Sequence, residues 1–503
     1  MPAIMSANSV SPTSADPHFD VAVIGGGIHG VSMACEAASR GLKVVLLQGQ
    51  DIASGASSAT STMLSGDLRK VEQFAWSQVR RNLAEQALML KRAPHLVRVH
   101  RYSVISDSSV RSELRLKSLL WIYRHLRKTP LAFPADRRRS EAPQHRLKIP
   151  DNATYQYKDC AGLDYRLVLC TALQAKSWGA EIYPRHRVIA AQRLRKHWQL
   201  TVQPQQGAAA FTITAGCVIN SCGWLANDLL NRVLKCPSRC QARPVNAGHL
   251  IVRKTWRGDQ GYVLQAPDKR FVYATPLLGK YLLIGPTLAH EGEMKKAATD
   301  ALLALYNRHF DEPLNRTDIL HERWAKHAVL DDPSSGSSQL GEVILDLNNP
   351  YNAAPLLNVF GINLVTHRLL SERGLDILRP FTRKRVNPAL KKQSLPGGDA
   401  SSRVPGGLSA ELQQAYPGLN EHLINRLTVT YGTLSFQILG ERKSTQDLGQ
   451  DFGHHLHEAE VRYLQEHEWA VSAEDILWRR TQLGIKFTAS ETENLQAWLD
   501  TQA

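Results

Sequence analysis

The sequence predicts an α/β protein: a doubly wound dinucleotide-binding domain, an antiparallel β subdomain that faces it, and a helical C-terminal domain. Three observations carry that reading. A glycine turn, Gly25-Gly26-Gly27-Ile28-His29-Gly30, directly follows the apolar run Val21-Ala22-Val23-Ile24. Short apolar runs recur between Gly248 and Gly285 with hairpin spacing. A Gly/Pro/Ser-rich stretch over 394–407 separates all of this from a helical segment rich in His, Glu and Trp over 408–503.

The first element is the most specific. In such a turn the first glycine makes the bend, the second lets backbone N–H groups approach a pyrophosphate, and the third lets helix and strand pack closely. A small-residue helix follows (Val31, Met33, Ala34, Cys35, Ala37, Ala38), and Lys43-Val44-Val45-Leu46-Leu47 completes a βαβ unit. The hydroxyl-rich segment from Ala53 to Thr62 then offers close backbone and side-chain donors to a cofactor. Helical patterns dominate from Leu68 to Leu126. A helix over 166–178 ends at Gly179 before Glu181-Ile182, and strands follow at Trp198-Leu200-Val202, Phe211-Ile213 and 216–220, the last ending in Ser221-Cys222-Gly223-Trp224. The hairpin region comprises 249–252, 261–264, 271–273 and 281–284, with a helix expected at 301–310. A buried strand, Leu356-Leu357-Asn358-Val359-Phe360-Gly361, turns at its glycine into a helix over 365–378. These patterns delimit a tail (1–17), a nucleotide domain (18–393) with an inserted β subdomain (about 236–345), a linker (394–407) and a C-terminal domain (408–503).

At 503 residues and 43% hydrophobic content the chain can bury two or three cores. It contains no apolar run of about 18 residues, and its Ser/Pro/Ala-rich start lacks the apolar stretch of a secretory signal. The seven cysteines are scattered and odd in number, which suggests buried thiols in a reducing cytosol. Cys236 and Cys240 have no second pair to complete a zinc set, so no metal is expected. The net charge of +15 favours anionic partners. It concentrates in Arg111–Arg139, where Arg115, Lys117, Arg124, Arg127, Lys128, Arg137, Arg138 and Arg139 interleave with Leu116, Leu119, Trp121 and Tyr123. This is either a basic amphipathic helix suited to a membrane surface or an ordinary surface helix whose apolar stripe serves the core. No helix-turn-helix, zinc finger or RNA-binding signature accompanies the charge, so a nucleic-acid partner is not expected.

Taken together the chain resembles the respiratory FAD-dependent glycerol-3-phosphate dehydrogenases. The landmarks are Val23-Ile24-Gly25-Gly26-Gly27-Ile28, Gln50-Asp51-Ile52-Ala53 with Ser57-Ser58-Ala59, Ala93-Pro94-His95-Leu96, Asp159-Cys160 with Asp164 and Arg166-Leu167-Val168-Leu169, 355–361 and Leu395-Pro396-Gly397-Gly398. The C-terminal landmarks are more specific: 447–453, Glu458-Ala459-Glu460-Val461, His467-Glu468-Trp469-Ala470 and Leu477-Trp478-Arg479-Arg480-Thr481. The resemblance implies FAD as cofactor, with contacts from Gly25, Gly27, Gly30, Gln48, Ser57, Ser58, Thr62, Val188, Gly223, Gly361, Asn363 and Leu364. It implies hydride transfer from C2 of sn-glycerol 3-phosphate to flavin N5, giving dihydroxyacetone phosphate, with electrons passed to membrane quinone. It further implies a cytoplasmic enzyme held peripherally at the inner face of the cell membrane on anionic lipid, with a homodimer allowed.

The departures from the family pattern fall on the chemistry. Gln48 stands where the family has an acid that binds the adenosine ribose, a loss of about 1 kcal/mol of charge-assisted bonding. The family's Lys-Leu-Ile-His-Gly-Gly-Leu-Arg-Tyr reads Thr62-Met63-Leu64-Ser65-Gly66-Asp67-Leu68-Arg69-Lys70 here, keeping Arg69 and adding Asp67. Its Gly-Val-Arg-Pro-Leu aligns with Ala325-Lys326-His327-Ala328-Val329, and a second phosphate-clamping arginine falls near Gly341. Its lysine beside the flavin pyrimidine is Asn363, its Gly-Thr-Thr-Asp is Gly285-Pro286-Thr287-Leu288, and its Lys-Gly-Ser-His is Asn246-Ala247-Gly248-His249. His249 is the expected general base, with Arg69, Lys326 and His327 holding an anion; the competing readings are a core histidine for His249 and a solvated turn for Lys326 and His327. Losing a phosphate-binding arginine costs about 2–4 kcal/mol in the transition state. Two functions therefore compete: oxidation of glycerol 3-phosphate, or a flavoprotein scaffold with a different substrate or no catalysis.

Overall fold

The computed structural model describes residues 18–128, 131, 147–148, 154–205, 207–238, 240–289, 294–331, 338–339, 343–382, 393–399 and 407–502. The tail 1–17, Arg137, Arg138, Arg139, Gly341 and residues 400–406 of the linker lie outside them. β1 (His18–Ile24), α1 (Ile28–Ser39) and β2 (Val44–Gln48) form the opening βαβ unit. β1 and β2 are parallel, with Val23 opposite Leu46. Every residue of α1 is buried, because its small side chains let it sit between the sheet and two later helices.

The next segment differs from the helical run expected over 68–126. β3 (Met63–Leu64), α2 (Leu68–Glu72) and α3 (Trp76–Arg92) are followed by a nine-residue strand, β4 (Val97–Ile105). α4 (Glu113–Leu126) then precedes β5 (Thr154–Gly162), which pairs antiparallel with β4 along its whole length. The basic amphipathic helix is thus α4 alone. Arg111 lies before it, buried and paired to Glu72 at 2.7 Å.

α5 (Asp164–Ser177) and β6 (Glu181–Pro184) return the chain to the first sheet, and β7 (His186–Arg193), β8 (Trp198–Pro204) and β9 (Phe211–Asn220) follow. After a short α6 (Ala226–Asp228) come β10 (Ala242–Arg253), β11 (Gly261–Gln265), β12 (Phe271–Leu277), β13 (Tyr281–Ala289), α7 (Lys295–His309), β14 (Ile319–Asp331) and β15 (Ser338–Gln339). β16 (Val343–Asn348), β17 (Leu356–Gly361) and α8 (His367–Leu378) complete the nucleotide domain. The C-terminal helices are α9 (Gly407–Ala415), α10 (Glu421–Tyr431), α11 (Ser435–Leu439), α12 (Glu458–Glu468) and α13 (Ala489–Thr501).

Two sheets result. The first runs β16-β17-β9-β1-β2-β6, with β7 and β8 attached through β9. The second runs β15-β14-β10-β13-β12-β11-β4-β5-β3. The substrate-side sheet therefore is not a single insertion over 236–345. It takes β3, β4 and β5 from the first third of the chain, and β16 belongs to the nucleotide sheet. The described part of the linker is also anchored: Leu395 N–H donates to the Arg92 carbonyl at 2.8 Å, and Thr433 N–H to the Gly397 carbonyl at 3.1 Å. The C-terminal domain docks through a fully buried pair, Arg166 Nη2 to Glu468 Oε1 at 2.8 Å. Breaking such a pair costs more than forming it stabilises, because the survivor is left charged in a low-dielectric interior.

Candidate active site

A cavity of about 990 Å³ lies between the sheets. One end is the glycine turn. Gly25 (φ +115) needs the left-handed region, and a Cβ there would overlap the Ser221 backbone. Gly30 has no room for a Cβ against the Gly25 carbonyl oxygen, so it serves helix–strand packing and does not line the cavity. Gly27 does line it, and a Cβ there would meet only Ser57 Oγ, at 3.4 Å. Ile28 N–H donates to Ser57 Oγ at 3.1 Å, which fixes the hydroxyl-rich loop beside the start of α1.

Of the cofactor residues expected from sequence, Gly25, Gly27, Gln48, Ser57, Ser58, Val188, Gly223, Gly361, Asn363 and Leu364 line this cavity. Gly30 and Thr62 do not. Thr62 is buried with φ +58, its N–H held by Thr60 Oγ1 at 3.1 Å. The lining fits a dinucleotide: a glycine edge open to the cavity, a helix N-terminus that favours anions, and Ser221 Oγ buried at the wall without a partner among the described residues. Gln48 is engaged locally, its Oε1 accepting Gly26 N–H at 2.8 Å and its Nε2 donating to Ser54 Oγ at 3.2 Å. Asn363 holds the turn that leads into α8, its Oδ1 accepting the N–H groups of Val365 and Thr366 at 3.0 Å each. His29 lines the cavity beside Asn363, and burial lowers its pKa to about 4.

At the other end, β10 and β14 pair antiparallel, with His249 opposite Arg323 and Val245 opposite His327. The two-residue period of a strand puts His249, Arg323 and His327 on one face. His249 is 2% exposed and neither ring nitrogen has a hydrogen-bond partner among the described residues. Burial, reinforced by Arg323 and His327, holds its pKa well below the ordinary histidine value, so it is neutral at pH 7. His327 is also neutral: burial lowers its pKa to about 4, although a hydrogen bond to the Ala59 backbone pulls the other way. It supplies no cation for an anion. Lys326 and His327 sit within a 13-residue strand, not a turn. Lys326 Nζ lies 4.5 Å from the Trp224 ring centroid.

Arg69 is exposed on α2 and does not line the cavity; its neighbours Asp67 and Lys70 do. Asp67 (φ +72) caps α2 through Oδ1, which accepts Arg69 N–H at 3.0 Å, and burial raises its pKa. Arg81 and Arg270 are further lining cations. Sequence reading missed Arg323, Lys70, Arg81 and Arg270. The local sequence singles out none of them; Arg323 is set opposite His249 by the β10–β14 register. A neutral, unpartnered imidazole, several cations and a dinucleotide cradle around one cavity can bind a small anion and take a proton from it.

Comparison with known proteins agrees with this geometry. Residues 20–360 match the family model "FAD dependent oxidoreductase", and residues 390–501 match the "C-terminal domain of alpha-glycerophosphate oxidase". The chain is 36% identical over 493 residues to a glycerol-3-phosphate dehydrogenase of Pseudomonas aeruginosa, covering 96% of this chain and 95% of that one. It is 33% identical to the aerobic glycerol-3-phosphate dehydrogenase of Escherichia coli, covering 95% and 97%. It is 34% identical to a D-erythritol 1-phosphate dehydrogenase of Brucella abortus, covering 96% and 97%. The glycerol-3-phosphate dehydrogenase structure from Bacillus halodurans complexed with FAD superposes with a TM-score of 0.69 at 19% identity, covering 96% of this chain and 94% of that one, which is a likeness of fold. With matches running through both halves of the chain, the protein is an FAD-dependent oxidoreductase and belongs to the glycerol-3-phosphate dehydrogenase family.

Proposed function

We propose that the protein oxidises the secondary alcohol of sn-glycerol 3-phosphate to the ketone of dihydroxyacetone phosphate and delivers the electrons to a membrane quinone. The observation that carries this reading is His249: a buried neutral imidazole on the cavity wall with neither nitrogen bonded among the described residues. Bound FAD supplies the two-electron oxidising equivalent. The protein's part is to take the hydroxyl proton on His249 and to hold the phosphate. With His327 neutral, that hold falls to Lys326, Lys70, Arg81 and Arg270. The cytoplasmic membrane surface is the proposed location. α4 exposes Leu114 and Trp121 beside Arg115, Lys117 and Arg124, and Phe74 and Trp76 are exposed on the neighbouring α2–α3 turn. Apolar groups set among cations suit an anionic lipid face.

Asp67 favours a second reading. Its carboxyl on the cavity wall can accept hydroxyls that glycerol 3-phosphate lacks, so a longer polyol phosphate is the competing substrate. The test is anaerobic mixing of holoprotein with each compound while the visible flavin band is followed. Bleaching by sn-glycerol 3-phosphate supports the first reading, and bleaching only by D-erythritol 1-phosphate supports the second. A band that neither compound bleaches refutes both and leaves a flavoprotein scaffold.

A further inference from the structure

The glycine turn is tied to the C-terminal domain by a continuous run of bonds. Gly26 donates its N–H to Gln48 Oε1 at 2.8 Å, and Gln48 Nε2 donates to the Asp51 backbone carbonyl at 3.3 Å. Ala53 N–H donates to the Gly26 carbonyl at 3.1 Å. The Asp51 carboxylate, 4% exposed, is then gripped by two consecutive arginines of the C-terminal domain. Arg479 Nε lies 2.8 Å from its Oδ2 and Arg480 Nη2 lies 2.9 Å from its Oδ1, with a second short bond from Arg480 Nη1. Arg185, on the turn between β6 and β7, lies 3.6 Å from the same carboxylate. The positive charge is balanced by Asp475, which pairs with both Arg185 and Arg479, and by the Glu468 carbonyl, which accepts from Arg480.

The loop that these arginines hold has little structure of its own. Residues 49–55 contain no helix or strand, and Ala53 adopts φ +64. Yet this loop orients Gln48 toward Gly26 and leads into Ser57, whose hydroxyl receives Ile28 N–H. We propose that Arg479 and Arg480 are positioning residues for the cofactor. By anchoring Asp51 they set the 48–57 loop against the glycine turn, so that this contact of the C-terminal domain, and not its docking in general, governs retention of FAD. A carboxylate buried among planar guanidinium forks has few alternative arrangements, so a loop fixed through it is fixed tightly. Reciprocity requires that bound FAD in turn tighten the hold of Arg479 and Arg480 on Asp51. This rests on the family's FAD dependence and not on the identity of the substrate.

The test is the rate at which FAD leaves the holoprotein on dilution, read by recovery of flavin fluorescence, together with the thermal unfolding midpoint. Arg479→Gln is the main variant, because that side chain is 12% exposed and its removal leaves Arg480 on Asp51. FAD release is expected to quicken by about tenfold, within the usual range of coupling between sites. Asp51→Asn is expected to do the same, and the double variant should release FAD no faster than the faster single one, since both remove one linkage. His321→Ala is the control: it deletes a ring stacked 4.0 Å from Trp478, a docking contact on the other sheet, and should leave the release rate at the parental value. The proposal is overturned if Arg479→Gln lowers the midpoint while release stays within twofold of the parent, or if His321→Ala quickens release equally. Should Arg479→Gln fail to fold, Arg479→Lys keeps the charge without the fork. Release at least threefold faster than the parent upholds the proposal, and parental release overturns it.

Discussion

Replacing Gly27 by alanine separates what the glycine turn does for the fold from what it does for the cofactor. Gly27 has φ −79 and ψ 179, ordinary extended backbone, so an L side chain is tolerated. Its Cβ would meet only Ser57 Oγ, at an ordinary contact distance of 3.4 Å. Gly27 is the N-cap of α1, where alanine is less favourable than glycine by several tenths of a kcal/mol up to about 1, a change of a few degrees at most in the unfolding midpoint. The methyl would, however, project into the cavity where a diphosphate must come close to backbone N–H groups. Forcing one extra carbon into a fitted contact costs about 1–3 kcal/mol, or roughly 5- to 150-fold in Kd. Titration of FAD into apoprotein, with thermal unfolding in parallel, should show a near-parental fold and weakened FAD. Gly30→Ala, which collides with the Gly25 carbonyl, should instead yield little folded protein. Parental FAD affinity in Gly27→Ala would refute the assignment of this turn as the cofactor cradle.

His249→Asn should keep the flavin spectrum and lower kcat by about 10²–10⁴; a variant as active as the parent removes His249 from the reaction. His29 and His327, each with its pKa lowered by burial to about 4, make stability fall in acid. Below pH 6.5 the unfolded chain binds protons that the folded chain refuses, so their contribution is complete above that pH and is lost as pH drops toward 4, by about 1.4 kcal/mol per pH unit for each ring. Urea unfolding between pH 7 and 5 should show that slope, and a flat profile would contradict it. Asp67→Gly suits the residue's left-handed φ of +72 and should raise kcat/KM for sn-glycerol 3-phosphate relative to D-erythritol 1-phosphate; an unchanged ratio frees Asp67 of any part in selection. Glu468→Gln leaves Arg166 charged and buried and should destabilise the protein by about 3–5 kcal/mol, measured by denaturant titration.

The parts of the molecule that local sequence could reveal are those set by local physics. The βαβ unit was legible because apolar run, glycine turn and small-residue helix follow one another within 30 residues. β4 was not. Its Val97-Arg98-Val99-His100-Arg101-Tyr102 alternates, but it continues a helical stretch, and its partners are β5 and the distant β11. β14 was hidden for a similar reason: Ile319-Leu320-His321-Glu322-Arg323-Trp324-Ala325-Lys326 has no strand-like composition, and pairing with β10 decides its state. Missing β14 concealed Arg323, which only the register sets against His249. Lys70 rather than Arg69 reaches the cavity because of how a five-residue helix happens to be rotated, which neighbouring letters do not encode.

The departures from the family pattern share one physical feature. Gln48, Asn363 and Asp67 each direct a side-chain oxygen to nearby backbone N–H groups: to Gly26 at 2.8 Å, to Val365 and Thr366 at 3.0 Å, and to Arg69 at 3.0 Å. An amide oxygen makes such bonds as readily as a carboxylate does. The bond to Gly26 therefore does not need charge at 48, and an amide there keeps the loop and the turn in place. What it cannot keep by this route is charge presented to a ligand. That separation lets the scaffold match relatives 33–36% identical to it over nearly their full length. It also concentrates the chemistry. On the proposed function, with His29 and His327 neutral and Asn363 bonded to Val365 and Thr366, proton transfer falls to His249, and Asp67 brings a carboxyl to the cavity wall.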